Sequence, residues 1–279
     1  MHRLALVLAF LLPLALAACE SDSEPSAAVG VSTLELGPEL ARAYEEGLGS
    51  LDNFRVFALG TSLYYISVGD STRRTFQLAR DPEAGMPNDP VAGNLFAFFP
   101  PNLDYIAGNL PNMTAGGEVE REGEQTLVFE SAQPEHVGFG ASRDATNQLA
   151  RVYLDAETMD VRELFHRFEM DTIATPLAQR ILYEDYREIA DGVRVPFRVR
   201  QIQEGVRPTE DQVLVAGARF AMREQQAQQL PAGEREIALN DLEREKRFFR
   251  EGINEVTLTI DSVLVNVAPP DTLSAPGLL

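Results

Sequence analysis

The chain has 279 residues, and its 43 Asp and Glu residues against 24 Lys and Arg residues give a formal net charge of −19. This acidic balance disfavours charge-driven binding to DNA, RNA or anionic headgroups, so we expect no nucleic-acid partner. Cys19 is the only cysteine, which excludes an intramolecular disulfide and a cysteine-ligated zinc site.

Residues 1–18 have the order of a secretory signal, with Arg3 before an apolar run at 4–16. That run is roughly 13 residues long, too short for a helix that crosses a bilayer core of about 30 Å. The letters "LAAC" at 16–19 resemble the bacterial lipobox, in which the cysteine is diacylated and becomes the first residue. We therefore predict that Cys19 is a lipid anchor. A plain signal peptide with an incidental cysteine is the alternative.

Residues 19–34 are acidic and aperiodic, which is typical of a flexible tether. A helix is predicted to begin at Pro38 and to end near Gly49, because apolar residues recur between them at helical spacing. From Phe54 the apolar period changes to two, which predicts three strands before residue 82.

Residues 82–117 are turn-rich and then aromatic, with apolar residues around two prolines that interrupt any single strand. We expect short helices or an apolar loop there. Strand patterns follow and form hairpins that turn near Gly123, at 155–158 and at Asp191–Gly192, the last being a strong hairpin signal.

The strand over 193–200 alternates apolar residues with arginines at 194, 198 and 200, which predicts one buried and one solvated face. We expect these arginines to pair with acidic side chains on neighbouring strands. Pro196, on the polar side, has no amide donor and therefore favours an edge or a bulge.

Residues 209–252 lose the strand pattern and are rich in helix formers, which predicts a helical hairpin inserted between two strands. The last strand places Val256, Leu258 and Ile260 on one face. Its apolar phase slips immediately after Ile260, which suggests a bulge.

The sequence carries no recognisable catalytic, nucleotide-binding or metal-binding motif. His136 and His166 are expected to be surface or hydrogen-bonded side chains rather than metal ligands. A solvated acidic edge is predicted where glutamates alternate, at residues 118, 120, 122 and 124. We expect no enzyme activity, no cofactor and no metal. A hydrolase would need one of the histidines within hydrogen-bond reach of a serine or carboxylate in a cleft.

Two short motifs carry a resemblance to a known family. The first is "YREIADGVRVP", with Tyr186, Arg187, Asp191, Gly192 and Pro196, and the second is the ending Val265, Asn266 and Pro276. With the lipobox, the N-terminal helix and the antiparallel strands, they resemble the LolA/LolB-like lipoprotein-carrier superfamily over residues 35–204 and 253–277. The insert at 205–252 and the segment 82–117 depart from the pattern of that family.

The resemblance implies an α+β, mostly antiparallel fold: a curved, incomplete β-barrel covered by helices. It would form one domain over residues 35–279, with the helical insertion at 209–252. Members of that superfamily hold acyl chains in an apolar hollow and carry or receive lipid-modified proteins. The side chains that would line the hollow here are Phe96, Phe98, Phe99, Val195, Phe197, Val199, Leu258 and Ile260.

These observations predict a lipid-anchored protein of the bacterial envelope that faces the periplasm, and Glu20 after the anchor favours the outer membrane. Its partners would be the membrane, held through the lipid, and acyl chains or lipidated proteins in the cavity. The alternative is a sensing or protein-interaction module of the same fold without a cavity, in which the helices at 209–252 dock a partner. From the residues alone, a packed core and a ligand cavity remain equally open.

Overall fold

The structure is a computed structural model, and it describes residues 33–70, 73–81, 83–121, 123–140, 144–170, 173–205 and 208–269. The predicted anchor Cys19, the signal at 1–18 and most of the predicted tether lie outside the described residues, as does Pro276.

Antiparallel strands make up most of the fold. The strands are β1 (Asn53–Ala58), β2 (Thr61–Asp70), β3 (Arg73–Arg80), β4 (Thr114–Arg121), β5 (Glu124–Ser131), β6 (Ala145–Asp155), β7 (Val161–Met170), β8 (Ile173–Ala190), β9 (Val193–Glu204), β10 (Ile253–Thr259) and β11 (Ser262–Val265). The helices are α1 (Thr33–Glu46), α2 (Pro90–Gly93), α3 (Leu103–Asn109), α4 (Glu210–Ala227) and α5 (Ala232–Glu251), with 3₁₀ turns at Leu48–Ser50, Asn94–Phe98, Leu110–Asn112 and Pro134–Val137. The α+β, mostly antiparallel prediction is confirmed.

The strands form two sheets, and the chain passes from one to the other between β10 and β11. One sheet has the order β11-β1-β2-β3, and the other has the order β10-β9-β8-β7-β6-β5-β4. At the junction the Ile260 N–H donates to the Phe197 carbonyl at 2.8 Å, and the Asp261 N–H donates to the Phe57 carbonyl at 2.8 Å. The predicted bulge is therefore a break at which the last strand passes from one sheet to the other. Within the described residues the outer strands β3 and β4 do not pair, so the sheets do not close into a barrel.

One apolar core lies between the inner faces of both sheets and the helices that cover them. The predicted apolar face of α1 and the turn after it is buried, with Leu40 fully covered and Tyr44, Leu48 and Leu51 nearly so. Central strands contribute fully buried side chains such as Ile181. The helices and the strands therefore contribute to one shared core.

The predicted start of the first helix was wrong. Helix α1 begins at Thr33, and Pro38 lies inside it. Pro38 is the sixth residue of the helix, so it removes the i to i−4 hydrogen bond that an amide at this position would make, and the helix continues through it. Burial of Leu36 in the core accompanies the extra turn.

The predicted helical hairpin is present as α4 and α5, inserted between β9 and β10. The two strands meet directly beneath it, because Ile253 pairs with Glu204. Gly252 ends α5 in the left-handed region with φ of 70°, and its N–H donates to the Phe248 carbonyl at 2.9 Å. Few side chains of the hairpin are buried, whereas Leu214 is 78% exposed.

The arginines of β9 pair with acidic residues, as predicted. Arg194 contacts Asp160 at 2.6 Å, and Arg200 lies between Glu184 at 2.7 Å and Glu255 at 2.8 Å. Arg198 lies 3.6 Å from Glu184 as well. These pairs are partly exposed, so each contributes at most about 1 kcal/mol to stability.

Pro196 lies at a local edge, since β10 pairs with β9 only from Arg198 onward. Its side chain is buried rather than solvated, because Tyr186 is its cross-strand partner on β8.

Candidate functional site: a cavity beneath an aromatic segment

A cavity of about 360 Å³ lies between the inner face of the larger sheet and the helical connection from β3 to β4. Leu164 of β7 and Tyr183 of β8 form its floor. One wall includes Phe98, and the opposite wall includes Val137 and Phe139. Small-ligand sites typically measure about 300–1,000 Å³ and are mostly apolar, so this cavity falls at the lower end of that range.

Two tyrosine hydroxyls hold the aromatic segment, residues 94–99, across the two sheets. The Tyr65 hydroxyl donates to the Phe96 carbonyl at 3.1 Å, and the Tyr183 hydroxyl donates to the Phe98 carbonyl at 3.0 Å. Burial raises the pKa of both tyrosines well above the ordinary value of 10. Both hydroxyls therefore stay protonated as donors at neutral pH.

Polar groups lie at the rim of the cavity. The Asn102 side chain accepts from the Tyr105 N–H at 3.1 Å and caps α3. The Tyr105 hydroxyl donates to the Glu135 carbonyl at 2.6 Å, which connects α3 to the turn Pro134–Val137. That turn ends at Gly138, whose φ of 92° suits glycine. The chain then turns so that Phe139 is buried beside the cavity.

Of the eight side chains predicted to line a hollow, Phe98 is the one found in the lining of this cavity. The other seven belong to the packed core and are at most 7% exposed: Phe96, Phe99, Val195, Phe197, Val199, Leu258 and Ile260.

The other twelve lining residues were not predicted from the sequence, and they include Val137, Phe139, Leu164 and Tyr183. Alternation along "ELFHRFEM" marks Leu164 as inward-facing. It does not reveal that the loop holding Phe139 lies above it.

A second, smaller cavity of about 190 Å³ lies at the far end of the same strands, where the C-terminal end of α5 covers them. Phe168 of β7 and Leu177 of β8 contribute to its lining, together with Phe248 of α5 and the exposed Gln203 of β9.

His166 lies on β7 between residues that line the two cavities, and it is 3% exposed. Its ring is 5.4 Å from that of Phe139 and 4.8 Å from that of Phe168, measured between centroids. Its Nε2 lies 3.2 Å from the Gln148 side-chain oxygen, so the prediction of a hydrogen-bonded histidine is confirmed. Burial lowers the pKa of His166, and the nearby Glu135 partly opposes that effect.

The other histidine makes a local contact with a serine. The Ser131 Oγ lies 2.9 Å from the His136 Nδ1, and the same oxygen accepts from the Gln133 N–H at 3.0 Å. This arrangement stabilises the turn after β5. The described lining of the larger cavity contains neither Ser131 nor His136.

The described residues show neither a metal-binding cluster nor a membrane-spanning helix. Across the described ranges, no group of three or more His, Cys, Asp or Glu side chains is placed to hold a metal ion. In that same part of the chain, no helix combines the length and the apolar character that spanning a bilayer requires.

Comparison with known proteins returned no relative. No family model matches the sequence, no curated protein matches it, and no solved structure matches the fold.

Proposed function

We propose that this protein is a membrane-anchored lipoprotein of the bacterial envelope, with a LolA/LolB-like curved sheet that binds acyl chains or lipidated proteins. It acts by sequestering lipid for sorting or transport and has no catalytic role. The observation that carries the proposal is the apolar cavity of about 360 Å³ under the aromatic segment, open at one side of the sheet.

Apolar burial would supply the binding energy. Each methylene group that leaves water contributes about 0.8 kcal/mol, and the cavity offers Leu164, Phe98 and Phe139 as contact surfaces. The floor strands pack against the main core on the same face, so the cavity has rigid walls on that side. Rigid walls reduce the conformational entropy that the protein loses when a ligand binds.

The charge at the rim selects among lipids. Glu135 lies in the lining, and the chain carries a formal net charge of −19. A fatty-acid carboxylate would be repelled there, whereas a neutral headgroup or an acyl group in amide or ester linkage would not. The ligand we favour is therefore an acyl chain without a free carboxylate.

Native mass spectrometry of the full chain carrying Cys19→Ser tests the proposal, because this variant removes the predicted acylation site as a source of bound lipid. We expect uptake of one molecule of monopalmitoyl glycerol. Ala97→Trp should reduce that uptake at least tenfold, since Ala97 is exposed and lines the cavity. Ala232→Trp, an exposed position at the start of α5, is the matched control and should bind normally. Absence of uptake by the chain with an unblocked cavity would overturn the proposal.

Metabolic labelling tests the proposed anchor separately. A palmitate analogue should label the wild-type chain in its producing cells and should not label Cys19→Ser. Equal labelling of the two chains would contradict an anchor at Cys19.

One observation favours the alternative of a protein-interaction module. Helix α4 exposes several large apolar side chains, with Leu214 78%, Val215 72% and Met222 57% exposed. Exposed apolar groups that cluster on one element are typical of interaction sites. If this alternative is correct, crosslinks to a partner should map to residues 209–252 rather than to the aromatic segment.

A further inference from the structure

The two cavities share one floor. Leu164, His166 and Phe168 are alternate residues of β7, so their side chains lie on the same face of the sheet. Leu164 lines the larger cavity and Phe168 lines the smaller one. Their positions four residues apart on one strand place them about 14 Å apart.

Strand β8 repeats this arrangement. Tyr183 lines the larger cavity, and Leu177 and Gln179 line the smaller one. The register pairs His166 with Gln179 and Phe168 with Leu177, so the same face continues across both strands. Ile181 lies between them on β8 and is fully buried. The two cavities are therefore successive positions along one concave strip of the sheet.

An aromatic column separates the cavities: Phe98, Phe139, His166 and Phe168. Ring centroids are 6.4 Å apart between Phe98 and Phe139, and the rings of Phe139 and His166 follow at 5.4 Å. The first two rings border the larger cavity, and the last borders the smaller. The partition between the cavities thus consists of side chains, which can change rotamer without any change in the sheet.

We propose that the two cavities are the two ends of one groove, and that the ligand is a single long unbranched acyl chain that displaces the aromatic column and reaches the smaller cavity with its methyl end. This inference rests on the proposed function. A chain with carbon–carbon bonds of about 1.5 Å needs roughly a dozen carbons to cover the distance of about 14 Å. Long chains therefore contact both cavities, and short chains contact one.

The different polarity of the two cavities determines which end of the acyl ligand binds in each of them. The larger cavity carries polar groups at its rim, including Asn102 and the hydroxyl of Tyr105, and can accommodate a neutral headgroup. The smaller cavity also has Gln179, Gln203 and Glu204 in its lining, but Phe168, Leu177 and Phe248 provide an apolar surface that suits the methyl end. Burial of two further methylene groups there corresponds to about a tenfold gain in affinity.

Tryptophan fluorescence provides the test, because the chain contains no tryptophan. Phe248→Trp places the only indole in the lining of the smaller cavity. Ala232→Trp is the control, because it places the indole at the exposed first residue of the same helix, about 24 Å from Phe248 at 1.5 Å per residue. The probes are the glycerol monoesters of palmitate and octanoate, each brominated at the terminal carbon, because bromine quenches indole only at short range.

The expected result is strong quenching of Phe248→Trp by the palmitoyl probe, at least tenfold less by the octanoyl probe at equal occupancy, and no quenching of Ala232→Trp. Gln203→Trp, at an exposed position in the lining of the smaller cavity, replaces Phe248→Trp if that variant does not fold. Palmitoyl binding without quenching of Phe248→Trp would overturn this inference and leave the proposed function standing. Equal quenching of Phe248→Trp and Ala232→Trp would also overturn it. Failure of the unsubstituted chain to bind either ester would instead refute the proposed function.

Discussion

The larger sheet and the helical hairpin are stabilised in different ways. The sheet and its covering helices share one extended core, in which residues such as Leu40 and Leu258 are fully buried. The hairpin α4–α5 has a small cluster of its own, Ala216, Phe220 and Leu242, with Phe249 packed against it. Partly exposed ion pairs such as Arg223–Glu245 and Lys246–Glu224 also join the two helices.

The contrast indicates a division of roles. A binding site on the sheet has a rigid framework, because a change in its shape would require many buried side chains to move together. A site on the hairpin would depend on weaker contacts that salt can screen. The cavities lie on the sheet, and α5 contributes to the smaller one through Phe248 and Gly252.

The largest expected effect comes from a core truncation. Leu258→Ala should lower the free energy of unfolding by about 2–5 kcal/mol, because it leaves a cavity beside fully buried neighbours. The matched truncation Leu214→Ala, on the exposed face of α4, should change it by less than about 0.5 kcal/mol. Urea denaturation followed by circular dichroism measures both values. Comparable losses for the two variants would show that the hairpin belongs to the same core.

A smaller effect is expected from a buried carboxylate at the turn between β6 and β7. Burial of Asp155 opposes its ionisation, but a hydrogen bond from Arg162 at 2.7 Å and bonds from the N–H groups of Glu157 and Thr158 outweigh that effect. They lower the pKa of Asp155 to about 2. Because the folded state holds this proton less tightly than the unfolded state, the stabilisation is complete above about pH 4 and is lost as the pH falls toward 2.

The stabilisation amounts to at most about 2 kcal/mol. We expect the difference in unfolding free energy between wild type and Asp155→Asn to shrink between pH 4 and pH 2. Denaturation curves at several pH values test this. Glu243→Gln is the control on the hairpin: Lys246 lowers the pKa of Glu243, but this carboxylate is fully exposed. If the difference in unfolding free energy between wild type and Asp155→Asn stayed constant across that pH range, the lowered pKa of Asp155 would be contradicted.

The smallest effect is expected from the ion pairs of the hairpin. Glu245 of α5 contacts Arg223 of α4 and lies 3.4 Å from Arg219. Glu245→Gln should therefore weaken the hairpin by less than about 1 kcal/mol, and high salt should remove most of the difference. Amide hydrogen exchange should report faster opening of α4 and no change in β8. A matching change in β8 would show that the two regions unfold together.

Much of the sheet could be predicted because its signals are local. Alternation along β9 identified Val195 and Val199 as buried, and both are fully covered. Gly192, with φ of 70°, occupies the predicted turn between β8 and β9. Each of these signals needs only a few neighbouring residues, since side chains alternate along any strand.

The cavity could not be predicted in the same way. Leu164 and Tyr183 meet because of the register between β7 and β8, which involves a β-bulge after Phe168. Phe139 reaches them through a loop fixed by the hydroxyl of Tyr105. Neither contact can be inferred from a single stretch of sequence. The sequence pattern therefore predicts the inward-facing residues of regular strands, and not the residues that line the cavity.

Pairing between the first and last strands has a consequence for biosynthesis. Phe54 of β1 lies opposite Val265 of β11, so one side of β1 has no strand partner until β11 is available. Most of the larger sheet can assemble earlier, because its neighbours along the sheet from β4 to β9 are also neighbours in sequence. A chain truncated before β11 would therefore expose an open strand edge at β1, and recognition of that edge by chaperones or proteases would act as a check on the presence of β11.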